Sequence, residues 1–504
     1  MLLQIWHFAG LAAIVALIIW IGLYSGKRAA TSGDFATGGG QAGPLMVSGI
    51  IMGSLVSSQA TIGTAQLAFH YGLSAWWFTL GSAIGCLVLG LVYVRPLRDS
   101  GQTTLLRIVS NRYGAMSGRL GSVLSAVGIF ISVLTQVLAG MGLIATMFPV
   151  NTVAAAAITI ALMVVYVLFG GAWGAGMGGV AKLILLYLAG IFGMIVVLLQ
   201  SGGISGLAEE LKEMLNGTNL GEIQEMLGYS AIAEADDMRA RFFSLTARGA
   251  MKDIGSGVSL LLGVLSTQTY AQAIWAAKNV KSAKTGALLS AALIPPIGLA
   301  GISIGLFMRS HYILRAEVDA LTAAGMTAPD LPILESTLQV FPVFAANHLP
   351  AIVGGIVLGT LLITVVGGGA GLSLGVSTIV TRDVLGRNSA TEQKKESKVF
   401  RGALLCVLIV AGVAAVSVPG ALINDFGFLS MALRGAVVFI PVTFALFFRN
   451  KINGKWMCAA IVVGPLTVVV GKIVKLPLDP LFVGIIIALV LAILGIVQTN
   501  SDKE

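Results

Sequence analysis

Charge is what this sequence has least of. Asp, Glu, Lys and Arg make up 11% of its 504 residues, where a soluble domain carries roughly 25%. A soluble chain so poor in charge would leave broad apolar patches facing water. Cysteine is rarer still. Cys86, Cys406 and Cys458 stand far apart in apolar runs, with no CxxC or other metal-ligand spacing. They read as small hydrophobes packed in helices, which leaves out a disulfide scaffold or a zinc module. His7, His70, His311 and His348 show no metal spacing either, and no cofactor is expected. No GxxxxGK[ST] stretch occurs, which argues against ATP hydrolysis by the chain. The apolar runs contain essentially no Asp or Glu. A membrane enzyme would need acid, base or metal groups there, so the chain is read as no enzyme.

What is there in quantity is apolar surface: 57% of residues are hydrophobic and the mean hydropathy is +0.94. Glycine is abundant, at 64 residues, as suits helices that pack closely in lipid. The expected fold class is an all-α integral membrane protein. A helix needs ~20 apolar residues to cross a bilayer. About thirteen runs qualify: 4–24, 45–70, 76–97, 120–147, 152–170, 176–200, 256–275, 284–308, 346–380, 402–423, 427–448, 455–472 and 479–498. The N-terminal run has no basic segment before it and reads as an uncleaved first helix.

The net charge of +9 does not point to nucleic acid, because the basic residues lie between the apolar runs. With the N-terminus outside, 20 of 31 Lys and Arg fall in inner loops. The larger groups are Arg95, Arg98, Arg107, Arg112 and Arg119, and Arg382, Arg387, Lys394, Lys395, Lys398 and Arg401. The positive-inside rule thus gives N-out and C-in. The expected setting is a multi-pass protein of a prokaryotic cytoplasmic membrane, with the lipid bilayer and a small-molecule solute as its partners. The long loop 201–255 carries a helical amphipathic pattern at Leu207, Leu211, Met214 and Leu215, then an acidic patch at Glu234, Asp236 and Asp237. It reads as a short outer helix, and 309–345 as a weaker version of the same. Neither is large enough for a catalytic domain.

Several motifs follow one another in order. Residues 53–77 read GSLVSSQATIGTAQLAFHYGLSAWW. Then come Arg95-Pro-Leu-Arg98, Ser100-Gly-Gln-Thr-Thr104, Asn111-Arg-Tyr-Gly114 and Tyr166-Val-Leu-Phe-Gly-Gly-Ala-Trp173. Thr267-Gln-Thr-Tyr-Ala-Gln272, Ala276-Ala-Lys278 and Ser377-Thr-Ile-Val-Thr-Arg-Asp383 complete the series. Together they resemble the solute:sodium symporter family over residues ~30–450. The resemblance implies two inverted five-helix repeats, each opening with a broken helix, and substrate held at mid-membrane by the unwound backbone. The units expected are 1–44 (an extra helix and inner loop), 45–200 (first repeat), 201–255 (outer loop), 256–449 (second repeat) and 450–504 (extra helices). The residues agree with this. Ser57, Ser58, Gln59 and Thr61 interrupt one apolar run, and Ser266, Thr267 and Gln268 another. Polar, unwound backbone is tolerated in a membrane only where it lines a cavity or packs on protein. The plainer reading is hydroxyls bonding back to their own helices.

The resemblance also locates a departure. In sodium-coupled members, one sodium ion lies between carbonyls that here belong to Gly53 and Val56 and a hydroxyl pair of the ninth helix. That pair falls on Gly367 and Gly368, and a family aspartate falls on Gly179. A hard cation wants several oxygens, so the site is altered. Lys182 stands one turn after Gly179, inside an apolar run, and intramembrane charges are functional candidates. Its ammonium would fill the cation site, with the glycines making room, and gain and lose a proton during the cycle. A lysine snorkelling to the inner interface is the alternative.

Arg434 is the second intramembrane cation. It reads as an outer gate or a carboxylate anchor, or else as an interfacial residue paired with Asp425. With fixed charges of positive sign only, a neutral polar or anionic solute fits better than an amine. Thr79, Ser82, Ser132 and Gln136 stand on faces where the family places substrate ligands. The expected function is secondary transport by alternating access, coupled to protons or passive. The alternatives are an ordinary sodium symporter, a transporter-like sensor and a channel.

Overall fold

The computed structural model describes residues 3–29, 41–102, 104–216, 227, 242–381, 393–418, 420–448, 452–474, 476 and 478–501. Side chains of 18–29, 167–181, 215–216, 393–398 and 499–501 lie outside that description. The acidic patch at Glu234, Asp236 and Asp237 and most of the inner loop after Thr381 fall beyond it as well.

Helices make up most of the described residues. The first repeat begins with α2 (Pro44–Leu55) and α3 (Ile62–Tyr71), preceded by α1 (Ile5–Ala29). It continues through α4 (Trp77–Val88), a π-helical turn, α5 (Val94–Asp99), the short α6 (Leu105–Tyr113), α7 (Ala115–Met147) and α8 (Thr152–Gln200). An outer helix, α9 (Ile204–Asn216), follows. The second repeat begins with α10 (Ala250–Ser266) and α11 (Gln268–Ala276), then α12 (Val280–His311). Outer α13 (Arg315–Ala323) and α14 (Val340–Asn347) precede α15 (Ala351–Ile379), α16 (Gln393–Val416) and α17 (Ile423–Phe447). α18 (Gly454–Val474) and α19 (Pro480–Ser501) close the chain. The only sheet among the described residues is a two-residue parallel pair, β1 (Ile313–Leu314) with β2 (Ile333–Leu334).

Local chemistry marks many starts. Asn151 Oδ1 accepts from Ala154 N at 2.8 Å and Asn279 Oδ1 from Ser282 N at 2.8 Å, each satisfying an orphan donor of the first turn. Pro44 opens α2, where its missing N–H costs nothing. Nine helical segments among the described residues are long and apolar enough to cross a membrane. Three shorter apolar helices, Ile5–Leu17, Pro44–Leu55 and Thr152–Tyr166, fall in other predicted runs. The runs 152–170 and 176–200 belong to one helix, α8, whose side chains are described on the arms 152–166 and 182–200. In the outer loop, α9 buries Leu207, Leu211 and Met214, the apolar stripe its sequence shows.

The core lies where helices meet. α1 runs against α15, and a Cβ at Gly10 or Gly355 would strike the other helix's backbone. Only glycine permits that approach. Ile486, Val490, Ile493 and Val497 of α19 are exposed, which lipid accommodates. At the inner face Ala42 N donates to Ala276 O at 2.9 Å, and Lys278 N to Ala42 O at 3.0 Å. Arg98 Nη1 reinforces this closure by donating to Ile274 O and Ala277 O.

Candidate functional site at the two helix breaks

Both predicted breaks exist, and side chains make them. α2 stops at Leu55; Val56 (φ −81°, ψ 89°) and extended Ser57 leave the helix, and a 3₁₀ turn spans Ser58–Ala60. Thr61 Oγ1 donates to Ser57 O at 3.1 Å and Thr64 Oγ1 to Gln59 O at 3.0 Å. These hydroxyls occupy carbonyls that the interrupted helix leaves bare. The second break is a single extended residue, Thr267 (φ −98°, ψ 124°), whose Oγ1 donates to Gly263 O at 2.6 Å.

A hydrogen-bonded line joins the breaks through α7. Gln59 Nε2 donates to Thr135 Oγ1 at 2.9 Å, and Thr135 Oγ1 to Ser132 O at 2.7 Å. Ser132 Oγ accepts from Arg434 Nη2 at 2.8 Å, and Arg434 Nη1 reaches Thr267 Oγ1 at 3.1 Å. Arg434 also donates from Nη2 to Ser430 Oγ (2.7 Å) and from Nε to Ser430 O (3.2 Å). It is 4% exposed. Every hydrogen bond of this guanidinium among the described residues goes to a neutral oxygen. Ser430 passes its own proton to Gly128 O at 2.5 Å, as Thr267 does to Gly263 O, so both present lone pairs to the cation. The suggested partner, Asp425, instead receives Arg248 Nη1 at 3.1 Å. The interfacial reading of Arg434 is thereby corrected.

Three buried atoms beside this line have no hydrogen-bond partner among the described residues: Ser58 Oγ, Gln136 Oε1 and Ser266 Oγ. A buried polar atom left unpaired costs about 1–3 kcal/mol. Each is next in sequence to a member of the line (Gln59, Thr135 and Thr267), and such atoms suit a site that a polar ligand completes.

The other intramembrane cation lies across α2. Lys182, 8% exposed, donates from Nζ to Gly53 O at 2.7 Å, two residues before α2 ends. No carboxylate pairs with it among the described residues. The geometry answers the snorkelling alternative, because the ammonium is turned to the first broken helix.

The remaining expected positions divide. Gly367 faces the Tyr166 hydroxyl and Gly368 the Gln136 amide, so neither has Lys182 as its nearest neighbour. The room they leave serves Tyr166 and Gln136. Gly179 falls among the side chains outside the description. Thr79 Oγ1 donates to Trp76 O and lies against Gly298 of α12, while Ser82 Oγ donates to Phe78 O. Those bonds are local to their own helix. Gln268 Oε1 accepts from Leu105 N at 2.9 Å, which engages it at the inner side, away from the line. Thr135 and Ser430 were missed. Their signal was spacing: Thr135 one turn after Ser132, and Ser430 one turn before Arg434.

At the outer face the charges are paired. Arg248 Nε meets Asp253 Oδ1 at 2.7 Å, both side chains wholly buried. Arg309 Nη1 meets both Glu317 oxygens at 3.0 Å and lies over the Phe69 ring at 4.7 Å. His70 is 1% exposed.

Sequence comparison settles the family. The signature described as the sodium:solute symporter family matches residues 35–464. The chain belongs to the sodium:solute symporter family. Among its relatives is the uncharacterized symporter YwcA of Bacillus subtilis, 22% identical over 474 residues, covering 93% of this chain and 85% of that one. Another is the monocarboxylic acid transporter of Corynebacterium glutamicum, 22% identical over 452 residues, covering 87% and 78%. Among solved structures, a substrate-bound, outward-open Na+-coupled sialic acid symporter superposes with a TM-score of 0.69 at 16% identity, covering 98% of this chain and 97% of that one. Mhp1, a nucleobase-cation-symport-1 transporter closed around bromovinylhydantoin, gives 0.52 at 13% identity, covering 91% and 92%. These likenesses carry the fold: inverted repeats with broken first helices. As a sodium:solute symporter family member, the chain is a multi-pass solute transporter of a prokaryotic cell membrane.

Proposed function

We propose that this chain is a sodium-independent member of its family. It carries a small polar solute, neutral or anionic, by alternating access, and Lys182 stands in for the sodium ion. The observation that carries this reading is the 2.7 Å bond from Lys182 Nζ to Gly53 O. That carbonyl is one of the two backbone ligands the family resemblance assigns to sodium. A sodium ion bound there would face a fixed ammonium at close range, and like charges at that distance repel strongly in a low-dielectric interior. Lys182 can also give up and regain a proton as the cycle alters its surroundings, which would couple transport to a proton gradient.

The test needs no substrate. Purified protein is melted with and without sodium at fixed ionic strength, as wild type and as Lys182→Ala. A ligand that binds only the folded state raises the melting temperature. The expected outcome is no sodium-specific shift in wild type and a clear one in Lys182→Ala. A sodium-specific rise in wild type would instead support the second reading, an ordinary sodium-coupled symporter.

A further inference from the structure

We infer that Arg434, Ser266 and the break at Thr267 form the seat for the carboxylate of a small monocarboxylate with an apolar body. This deepens the reading above, since it rests on the chain being a transporter with its substrate at the helix breaks. It is independent of what Lys182 does.

Donor counting comes first. A guanidinium has five N–H groups. In Arg434 four are spent, on Ser430 O, Ser430 Oγ, Ser132 Oγ and Thr267 Oγ1. One Nη1 proton remains, on the nitrogen that already reaches the break. The residue before Thr267 is Ser266, 5% exposed, whose Oγ has no hydrogen-bond partner among the described residues. Two donors therefore remain at the break: one Nη1 proton of the cation that reaches Thr267, and the hydroxyl of the residue before it. A carboxylate takes two such donors, one to each oxygen.

Charge points the same way. A cation held only by neutral oxygens keeps much of its desolvation cost, which an anion would relieve. No carboxylate of the described residues pairs with Arg434. The buried outer arginines differ: Arg248 and Arg309 are each given an acid.

Size and polarity narrow the class. Among the described residues the other buried cations are engaged, Lys182 on Gly53 O and Arg248 and Arg309 on carboxylates, so a dicarboxylate would find no second free partner. The neighbours on α17 are apolar. Phe428 meets Phe78 at a tilt, with ring centroids 5.9 Å apart, and Met431 packs on Gly263 one turn before the break. An acid head with a short hydrocarbon body matches such walls.

The experiment uses the full-length protein in detergent and in proteoliposomes. Acetate, propionate and pyruvate are compared with acetamide, propionamide and potassium chloride in melting assays, and labelled propionate is followed in uptake. The carboxylates should raise the wild-type melting temperature and the amides and chloride should not. Uptake should saturate. Ser266→Ala, which removes no bond from the fold, should melt as wild type does yet raise KM for propionate three- to tenfold. Arg434→Lys keeps the charge and loses the fork, and should raise KM more than tenfold. The proposal is overturned if no carboxylate shifts the wild type, if chloride or the amides shift it equally, or if both variants take up propionate with unchanged KM. The sodium melting test stands apart, so either reading can fail without the other.

Discussion

Arg248 and Arg309 sit at the outer face, and each has a buried carboxylate at 3.0 Å or closer. Lys182 and Arg434 sit at the helix breaks, and each has only neutral oxygens. All four are buried. The outer charges tie loops to helix ends: Asp253 also accepts from Ser74 Oγ at 2.6 Å and from Arg248 N at 2.9 Å, so α10 is fastened to the turn before α4. The Arg248–Asp253 network is satisfied within the chain, and both outer arginines have their charge paired. The inner cations leave electrostatic work undone, and that work is available to something that comes and goes.

The sharpest way to break this contrast is to unpair an outer charge. Glu317→Gln leaves Arg309 buried without its acid, and should cost roughly 3–5 kcal/mol of stability, read as a large fall in melting temperature. Burial pushes the Glu317 carboxyl up, but the Arg309 charge, its hydrogen bonds and the Leu314 N–H outweigh it and hold the group below its ordinary value. That stability is therefore present at neutral pH and is lost in strong acid, as pH falls through the lowered folded value. Lys182→Met should behave differently. It removes a charge with no acid to strand, and its melting temperature should fall far less than that of Glu317→Gln. An equal fall would erase the distinction between the two regions.

A smaller effect concerns the outer histidines. Burial, then the charge of His311, push His348 down from 6.5 to about 4. The folded protein keeps it neutral while the unfolded chain protonates it, so stability should decline as pH falls from about 6.5 to about 4. His348→Gln should flatten that slope; an unchanged profile would exonerate the histidine. Smallest of all is Arg315→Ala. Its pair with Glu335 is solvent-exposed, at 46% and 65%, and exposed pairs contribute little. No measurable change in melting is expected, and a clear one would mean that surface charges matter here as buried ones do.

Much of this was legible in the residues. Span positions follow from hydropathy, and the breaks from hydroxyl and amide clusters in otherwise apolar runs. Lys182 stood out because an ammonium in lipid has to be explained, and Gly53 was named as one of its targets. The role of Gly367 and Gly368 was not legible, because the rotation of α15 depends on what packs on it: Tyr166 and Gln136 take the space. Arg434 was harder. Ser430 lies one turn away on its own helix, but Ser132 and Thr267 come from elements that only folding brings to it, whereas Asp425 was merely close in sequence. Long-range polar contacts of single hydroxyls carry no periodic signal.

The inner fastening of Ala42 to Ala276 and Lys278 is made wholly of main chain. Amide and carbonyl are common to almost every residue, so the side chains at these places are free to drift over evolutionary time without loosening it. Proline alone, at 42 or 278, would delete a donor. A catch of this kind would persist through divergence that erases every recognisable motif around it, and its presence in a distant relative would have to be sought in amide exchange and not in an alignment.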